Sequence, residues 1–323
     1  MAMKKIFKQD EYREYGFGNR VVEHAGRLMN RDGSSNVRRT GLPFPSNLNI
    51  YHSLVTMSWW KFSMLVGISY VVVNLLFASI YYFLDPGNLA GMIYTTPFEK
   101  FMEVFFFSAQ SLTTVGYGRL NPTGMFSSTV AAIESMIGLL GFAMATGLLY
   151  GRFSRPVAKI LFSKDILIAP YKGITALMIR VANANRSELI DIEAKIIMSH
   201  IEIEGENRTR KFAPLKLELT KVTLLSMSWT IVHPIDEESP VYGWKMEDYN
   251  KKDVEFLVLM QAYEETFAQT VHARSSFRYH EMVSGAKFSP MVEANEDGTV
   301  LVTLNKLSDY SPASIEIEMQ KLA

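Results

Sequence analysis

The stretch that decides the fold is Thr114-Val115-Gly116-Tyr117-Gly118. Glycine adopts positive φ angles that other residues disfavour, so Gly116 and Gly118 allow successive carbonyl groups to face one side instead of alternating. The stretch lies between two long apolar segments and directly follows a shorter one. Irregular backbone between membrane spans is tolerated only where protein buries it or where it lines a water-filled path.

The flanking segments have the length and composition of membrane spans. Residues 62–84 carry no charge and extend about 35 Å as a helix, enough to cross a hydrocarbon core of about 30 Å. Residues 126–150 contain one charged residue, Glu134. Basic residues are frequent before the first span and after the second, whereas 85–97 has none. The positive-inside rule therefore predicts a multi-pass protein of the cell membrane with both termini in the cytoplasm.

A helix is predicted between the spans, over 97–112. Thr96 and Glu99 form a capping-box pattern, with Pro97 at the first helical position. The apolar run that follows is too short to cross a bilayer, so we expect it to enter the membrane and return.

This arrangement predicts a potassium-selective pore. Backbone carbonyls can replace the water that a potassium ion sheds, and TVGYG is itself the usual example of such a filter. We expect K⁺ at the carbonyls of 114–117, and the Val115 and Tyr117 side chains packed against the pore helix. One loop cannot encircle an ion, so a homotetramer is implied. K⁺ is the transported ion, and no cofactor is expected.

The remaining segments are assigned by composition and periodicity. We predict a cytoplasmic arm over 1–46, in which 36–40 would add a strand to another domain. Residues 47–57 form either an interfacial helix before Trp59 and Trp60 or an ordinary amphipathic helix. The pore domain covers 58–152, with spans at about 60–84 and 124–151, pore helix 97–112 and filter 114–118. A linker covers 153–164.

Residues 165–323 are predicted to form an all-β sandwich. Short runs rich in β-branched and apolar residues are separated by turn signals there. The expected strands are 166–168, 175–182, 190–198, 215–219, 222–225, 254–260, 267–273 and 300–304.

Composition narrows the functional classes. The 323-residue chain has a formal net charge of zero, which gives no reason to expect nucleic acid as a partner. It contains no cysteine, so disulfides and zinc–thiolate sites are excluded. No phosphate-binding glycine loop, metal-ligand cluster or nucleophile elbow is visible, so an enzyme is not expected. The competing prediction is a membrane-anchored immunoglobulin-like binding protein without conduction.

The second span carries further candidate residues. Phe142, Thr146 and Tyr150 lie within about 80° on a helix, which places them either on the inner pore or against neighbouring helices. Glu134 is the one ionisable residue in either span, and it either braces the back of the filter by hydrogen bonds or is a purely structural carboxyl. Gly138, Gly141 and Gly147 permit close packing or bending.

Several segments resemble prokaryotic inward-rectifier-type potassium channels (the KirBac family) over nearly the whole chain. They are 32–36 (DGSSN), 105–108 (FFFS), the filter, 151–156 (GRFSRP), 233–240 (HPIDEESP) and 265–269 (ETFAQ). The resemblance implies an immunoglobulin-like cytoplasmic sandwich that extends the tetrameric pore and is coupled to an inner helix-bundle gate at Tyr150.

Three residues of this chain differ from the pattern of the family that it resembles. Phe142 stands where strongly rectifying relatives carry an acidic residue, so strong rectification is not expected. Gln110 and Arg119, both beside the filter, replace residues that are commonly acidic in relatives, so the filter's support must differ. An unpaired ring of Arg119 side chains would repel cations.

Two charged clusters keep alternative interpretations. One is a basic group, which either binds anionic phosphoinositide lipids or anchors the chain at the membrane surface. It consists of Arg152, Arg155, Lys159 and Lys164. The other is an acidic group, which either lines a cytoplasmic vestibule or belongs to a solvated strand and turn. It consists of Glu202, Glu204 and Glu206.

Overall fold

The computed structural model describes residues 27–38, 40–41, 49–85, 87–154, 159–185, 187–204 and 207–315. The chain divides into two compact units. The helical unit comprises Gly41–Arg155, and the β unit comprises Met1–Thr40 together with Pro156–Ala323.

The helical unit follows the predicted order of elements closely. It contains α1 (Ile50–Thr56), α2 (Trp59–Leu84), β1 (Leu89–Ala90), α3 (Pro97–Leu112), β2 (Asn121–Pro122) and α4 (Met125–Phe153). Helices α2 and α4 are long and apolar enough to cross a membrane. Helix α3 has the predicted bounds, and α1 lies within the predicted 47–57, of which 47 and 48 are outside the described residues.

The start of α3 confirms the predicted capping box. The Glu99 amide donates to the Thr96 hydroxyl over 3.2 Å, and the Thr96 amide donates to the Glu99 carboxylate over 3.3 Å. Main-chain donors at a helix start have no partner within the helix, so this exchange satisfies them and sets where α3 begins.

Helix α4 shows an inverted burial pattern. In its 29 residues only Ser127 and Glu134 are buried by the rest of the chain. Large apolar side chains along the same helix are exposed. A surface helix of a water-soluble protein buries its apolar side instead, so the pattern fits a helix surrounded by lipid or by further copies of the chain.

The β unit is a sandwich of two five-stranded sheets. One sheet has the order β11-β10-β6-β7, with β8 also paired to β6. Its strands are β6 (Leu189–Glu204), β7 (Asn207–Leu215), β8 (Lys221–Leu224), β10 (Glu255–Glu264) and β11 (Gln269–Arg278). The other has the order β12-β4-β5-β3, with β9 also paired to β5. Its strands are β3 (Ile160–Phe162), β4 (Ile166–Tyr171), β5 (Ile174–Asn183), β9 (Ser228–Ile235) and β12 (Met282–Ser284).

Apolar residues from both sheets form one core. Leu177 and Ile179 of β5 belong to the same buried cluster as Ile196 of β6 and Phe256 of β10. Smaller elements complete the unit: helix α5 (Met246–Lys251), the hairpin β14 (Val292–Ala294) and β15 (Val300–Val302), and the pair β13 (Ala286–Phe288) and β16 (Tyr310–Pro312). The sandwich predicted for this part of the chain is therefore present.

Several sequence-based strand assignments differ from the structure. The first strand begins at Ile160, inside the predicted linker 153–164, because 160–162 pairs with 181–183 of β5. The predicted strand 215–219 keeps only Leu215, the last residue of β7. Strand β9 was missed because its residues, SWTIVHPI, mix polar side chains and a proline with apolar ones.

Part of the predicted arm docks on the β unit. The Leu28 and Met29 amides donate to the Glu255 carboxylate, and the Ser275 hydroxyl donates to the Arg31 carbonyl. Strand addition was expected at 36–40, but the described residues there form no strand. The docked residues 27–35 contact the sheet instead, because the buried Glu255 carboxylate accepts their main-chain donors.

His200 of β6 predicts a pH-dependent stability of the β unit. Burial, followed by the nearby Lys252 charge, lowers the pKa of His200 to about 4. The unfolded histidine has a pKa near 6.5, so the contribution is fully present above about pH 6.5. It is lost as the pH falls toward 4, by up to about 3 kcal/mol.

We expect His200→Asn to flatten the fall in apparent unfolding temperature between pH 7 and pH 4, measured on the full chain in detergent. The matched control is His272→Gln, which changes an exposed histidine of β11 and should leave the profile parallel to that of the parent. Parallel profiles for both variants would contradict this assignment.

Candidate functional site

The predicted filter segment is held by the end of α3. The Val115 and Gly116 amides donate to the Gln110 carbonyl over 2.9 and 3.4 Å. The Thr114 amide donates to the Ser111 carbonyl over 3.0 Å. These bonds place the start of 114–118 directly beneath the last turn of the helix, and they satisfy main-chain donors that have no strand partner.

The φ angles of residues 114–118 alternate in sign. Gly116 and Gly118 have φ of +52° and +84°, the conformation that the sequence analysis expects of them. Thr114 also has a positive φ, +57°, which is unfavourable for a β-branched residue. Sequence reasoning did not anticipate this. Such a conformation persists only where the surroundings enforce it, here through the bonds to 110 and 111.

The support from Gln110 comes from its main chain. Its carbonyl accepts both amide bonds, and a carbonyl is present whatever the side chain. The Gln110 side chain therefore takes no part in these bonds.

Arg119, the residue after the segment, is paired within its own chain. Its Nη2 lies 2.5 Å from Oε2 of Glu103 on α3. The loop after α2 packs on the same residue, since a Cβ built on Gly91 (φ +87°) would lie 1.9 Å from the Arg119 carbonyl oxygen. Glu103 was missed by the sequence analysis, although a carboxylate in a largely apolar helix is itself a signal. The pair neutralises the positive charge that Arg119 would otherwise place there.

Glu134 joins three helices. Its Oε2 accepts from the Tyr81 hydroxyl of α2 over 2.8 Å, and its Oε1 accepts from the Ser108 hydroxyl of α3 over 2.5 Å. The Ser108 hydroxyl also lies 3.1 Å from the Asn74 side-chain oxygen. All four side chains are in the buried interior of the helical unit. Glu134 thus fixes α3 and not residues 114–118 themselves, so any effect on the segment passes through that helix.

Gly138 lets α4 contact the backbone of α3. A Cβ at this position would lie 1.8 Å from the Leu112 carbonyl oxygen. One helical turn earlier, the Ser135 hydroxyl donates to the Ser111 carbonyl over 3.1 Å. Of the alternatives left open by the sequence, Gly138 serves close packing. Nothing within 4 Å would meet a Cβ at Gly141 or Gly147.

Several candidate residues are not covered by their own chain. Tyr117 is 80% exposed, and Val115 is exposed beside it, so α3 of the same chain does not cover these two side chains. Phe142 and Tyr150 are 73% and 74% exposed, while the Thr146 hydroxyl between them donates to the Phe142 carbonyl. Aromatic surface on this scale is seldom left open in a finished assembly.

Comparison with known proteins decides the family. Residues 160–321 match the model of the inward rectifier potassium channel C-terminal domain, and 69–155 match that of an ion channel. The inward rectifier potassium channel Kirbac3.1 of Paramagnetospirillum magnetotacticum is 38% identical over 88% of this chain and 96% of its own length. This chain belongs to the inward-rectifier potassium channel family.

Eukaryotic family members are more distant. The ATP-sensitive inward rectifier potassium channel 12 of Bos taurus is 27% identical over 86% of this chain and 71% of its own length. Family membership makes the chain a potassium channel, as the filter sequence predicted, and does not favour the membrane-anchored binding protein.

The candidate basic residues are divided between the two units of the chain. Arg152 lies in the helical unit, where its guanidinium donates to the Leu54 and Met57 carbonyls. Lys159 and Lys164 lie in the β unit and are exposed, and Arg155 is outside the described residues.

The acidic group is only partly described. Glu202 forms an ion pair with Lys211, which holds the pKa of Glu202 below its ordinary value. The Glu204 side chain and Glu206 are outside the described residues.

The Arg119–Glu103 pair predicts a measurable coupling. Both side chains are partly exposed, so we expect only about 0.5–1 kcal/mol between them. Arg119→Gln and Glu103→Gln should each lower the thermal stability of the channel in detergent and KCl, and their effects should be less than additive. The exchanged pair Arg119→Glu/Glu103→Arg should recover part of the loss. Strict additivity would show that the ion pair contributes nothing.

Gly138→Ala should disrupt the contact between α4 and α3. The new Cβ has to move from 1.8 Å to at least 3.0 Å from the Leu112 oxygen, which displaces the turn that holds the filter segment. We expect potassium flux to fall roughly tenfold or more, in line with a strained backbone contact of about 1–3 kcal/mol. Gly141→Ala is the matched control, and an equal loss in both variants would argue against this specific contact.

Proposed function

We propose that four copies of this chain surround one conduction path, in which the carbonyls of 114–117 and the Thr114 hydroxyl bind dehydrated K⁺. The proposal rests on one observation above all. The TVGYG segment has alternating positive φ, is bound to the end of α3, and is left uncovered by its own chain. Symmetry-related copies would cover Val115 and Tyr117 and close the ring of carbonyls.

We place the inner gate at Tyr150. Phe142, Thr146 and Tyr150 recur every four residues on α4, so they share one side of the helix. The exposure of both aromatic side chains supports their facing a central path. Phe142 carries no charge, so this site gives a blocking cation no ion-pair partner, and strong rectification is not expected.

The electrostatics of the proposed path follow from the pairs already described. Glu103 neutralises Arg119, so the outer mouth does not present a positive ring. Lys211 likewise neutralises Glu202, which weakens the proposal that this carboxylate concentrates cations in a vestibule.

We further propose a cell-membrane location with both termini in the cytoplasm. The asymmetric distribution of Lys and Arg around α2 and α4 supports this orientation. Anionic phosphoinositides remain a proposed partner on the strength of exposed Lys159 and Lys164, each of which can gain about 1 kcal/mol at an anionic surface.

Ion flux into liposomes tests the proposal. We expect liposomes that contain the purified protein to take up radioactive rubidium or potassium but little sodium. Barium should block this uptake. Gly116→Ala serves as the matched non-conducting variant, since alanine at this positive φ is strained and should abolish uptake.

A silent channel is distinguished from a non-channel by Tyr150→Ala. Removal of the ring should raise uptake if Tyr150 closes the path. A folded tetramer in which neither the parent nor Tyr150→Ala takes up potassium, with or without phosphoinositide, would defeat the proposal.

A further inference from the structure

Lys100 of α3 carries an ammonium group that faces two aromatic rings. Its Nζ lies 5.6 Å from the centre of the Tyr82 ring, in the last turn of α2. The same atom lies 5.5 Å from the centre of the Tyr94 ring, in the loop before α3. A cation over an aromatic face is attracted by the negative charge of the π-system. Lys100 therefore connects the end of α2, the loop and the first turn of α3.

Neither neighbouring carboxylate pairs with this ammonium. The Glu99 Oε2 atom accepts from the Thr95 amide over 2.7 Å and from the Thr95 hydroxyl over 2.6 Å, so Glu99 is directed to the start of α3. Glu103, which is three residues further along α3, forms its ion pair with Arg119. Within the part of the chain that the structure describes, Lys100 thus keeps a positive charge without a carboxylate partner.

Apolar side chains flank this charge. The Tyr82 ring packs edge-to-face on the rings of Phe83 and Phe101, with centroids 5.0 and 5.7 Å apart. Phe83 and Leu84 are exposed at the end of α2, and Phe98 is exposed in the first turn of α3. In membrane proteins such aromatic residues lie where hydrocarbon meets the headgroups, and a lysine there reaches toward the polar side. The surface combines one positive charge with apolar contacts.

A glycerophospholipid with a net negative charge has the matching chemistry. Its phosphate can accept charge-assisted hydrogen bonds from the Lys100 ammonium, while its acyl chains contact exposed apolar side chains such as Phe83 and Leu84. A zwitterionic choline lipid brings a cation of its own, which would need a free aromatic face. Both tyrosine rings already face Lys100. The charges therefore favour an anionic headgroup over a zwitterionic one.

We propose that Lys100, held between Tyr82 and Tyr94, binds the headgroup of an anionic phospholipid at the end of α2 that is far from Trp59. The 26 residues of α2 extend about 39 Å, so this site lies across the bilayer from the start of the helix. It is separate from the phosphoinositide interaction proposed for the cytoplasmic side. Its assignment to the outer leaflet rests on the proposed orientation of the chain, whereas the lipid site itself does not.

Quenching by brominated lipids tests the proposal at a defined position. The chain has no cysteine, so Leu84→Cys can carry a single bimane fluorophore beside the site, and Met64→Cys can carry one toward the other end of α2. The full chain is reconstituted in vesicles with equal amounts of phosphatidylglycerol and phosphatidylcholine, and one of the two lipids is brominated in each measurement. The ratio of the two quenching efficiencies gives the preference for the anionic lipid at each label.

Three variants change the charge at the site. Lys100→Gln removes it, Lys100→Arg keeps it, and Lys100→Gln/Ile93→Lys moves it to an exposed residue of the loop before α3. Lys61→Gln, near the start of α2, is the matched control for the loss of an exposed lysine elsewhere on the same helical unit.

We expect the Leu84 label to show a roughly fivefold preference for phosphatidylglycerol, the factor that corresponds to about 1 kcal/mol for one lysine at an anionic lipid surface. The preference should persist in Lys100→Arg and Lys61→Gln. It should disappear in Lys100→Gln and in the variant with the displaced charge. The Met64 label should respond alike in the parent and in all three Lys100 variants, which reports an intact fold.

Inorganic phosphate distinguishes a lipid from a free anion. When phosphate replaces chloride at equal ionic strength, the preference at Leu84 should stay unchanged, because the acyl chains contribute apolar contacts that a free anion lacks.

Several results would overturn the proposal. A preference at Leu84 that survives Lys100→Gln, or that Ile93→Lys restores, would show general attraction to the surface. Loss of the preference in inorganic phosphate would show a site for the free anion. No quenching by either lipid would show that another copy of the chain covers the end of α2. The measurement requires no conduction, so a parent protein without potassium uptake would defeat the channel mechanism and leave the lipid site testable.

Discussion

The main-chain bonds from the end of α3 to residues 114–116 are the constraint on which the helical unit depends. Filter backbone belongs neither to a helix nor to a sheet, so its amides need partners supplied by a neighbouring element. The carbonyls of 110 and 111 provide them. Any displacement of the last turn of α3 would therefore move the backbone of 114–116 directly.

The rest of the unit can be understood as fixing that turn. Gly138 brings α4 against the Leu112 carbonyl, and Ser135 donates to the Ser111 carbonyl on the same side. Glu134 ties α3 to α2 through Ser108 and Tyr81. Beyond the other end of the segment, Glu103 forms an ion pair with Arg119. These contacts combine close backbone packing with hydrogen bonds, because apolar burial alone gives little association energy between helices in lipid.

Several charged side chains in the helical unit form hydrogen bonds that link one element to another. Glu103, Glu134 and Arg152 each link their own helix to another part of the chain. A charge in or near an apolar environment is costly unless it is paired or hydrogen-bonded, so such residues persist where a connection is needed. Arg152 of α4, for example, donates to main-chain carbonyls at the end of α1 and just beyond it.

The sequence by itself determined the two apolar helices long enough to span a membrane, the bounds of α3, the positive φ of Gly116 and Gly118, and the β-rich class of the second unit. These features depend on local patterns: length without charge, a capping box, positive φ and alternating apolar runs. Only the tertiary structure decided that Arg119 pairs with Glu103, that Glu134 contacts α3, and that Arg152 caps α1. It also decided that β3 begins at Ile160 and that SWTIVHPI is a strand. The physical reason is that a partner distant along the chain leaves no local signal, because its contribution arises only when folding brings the two groups together.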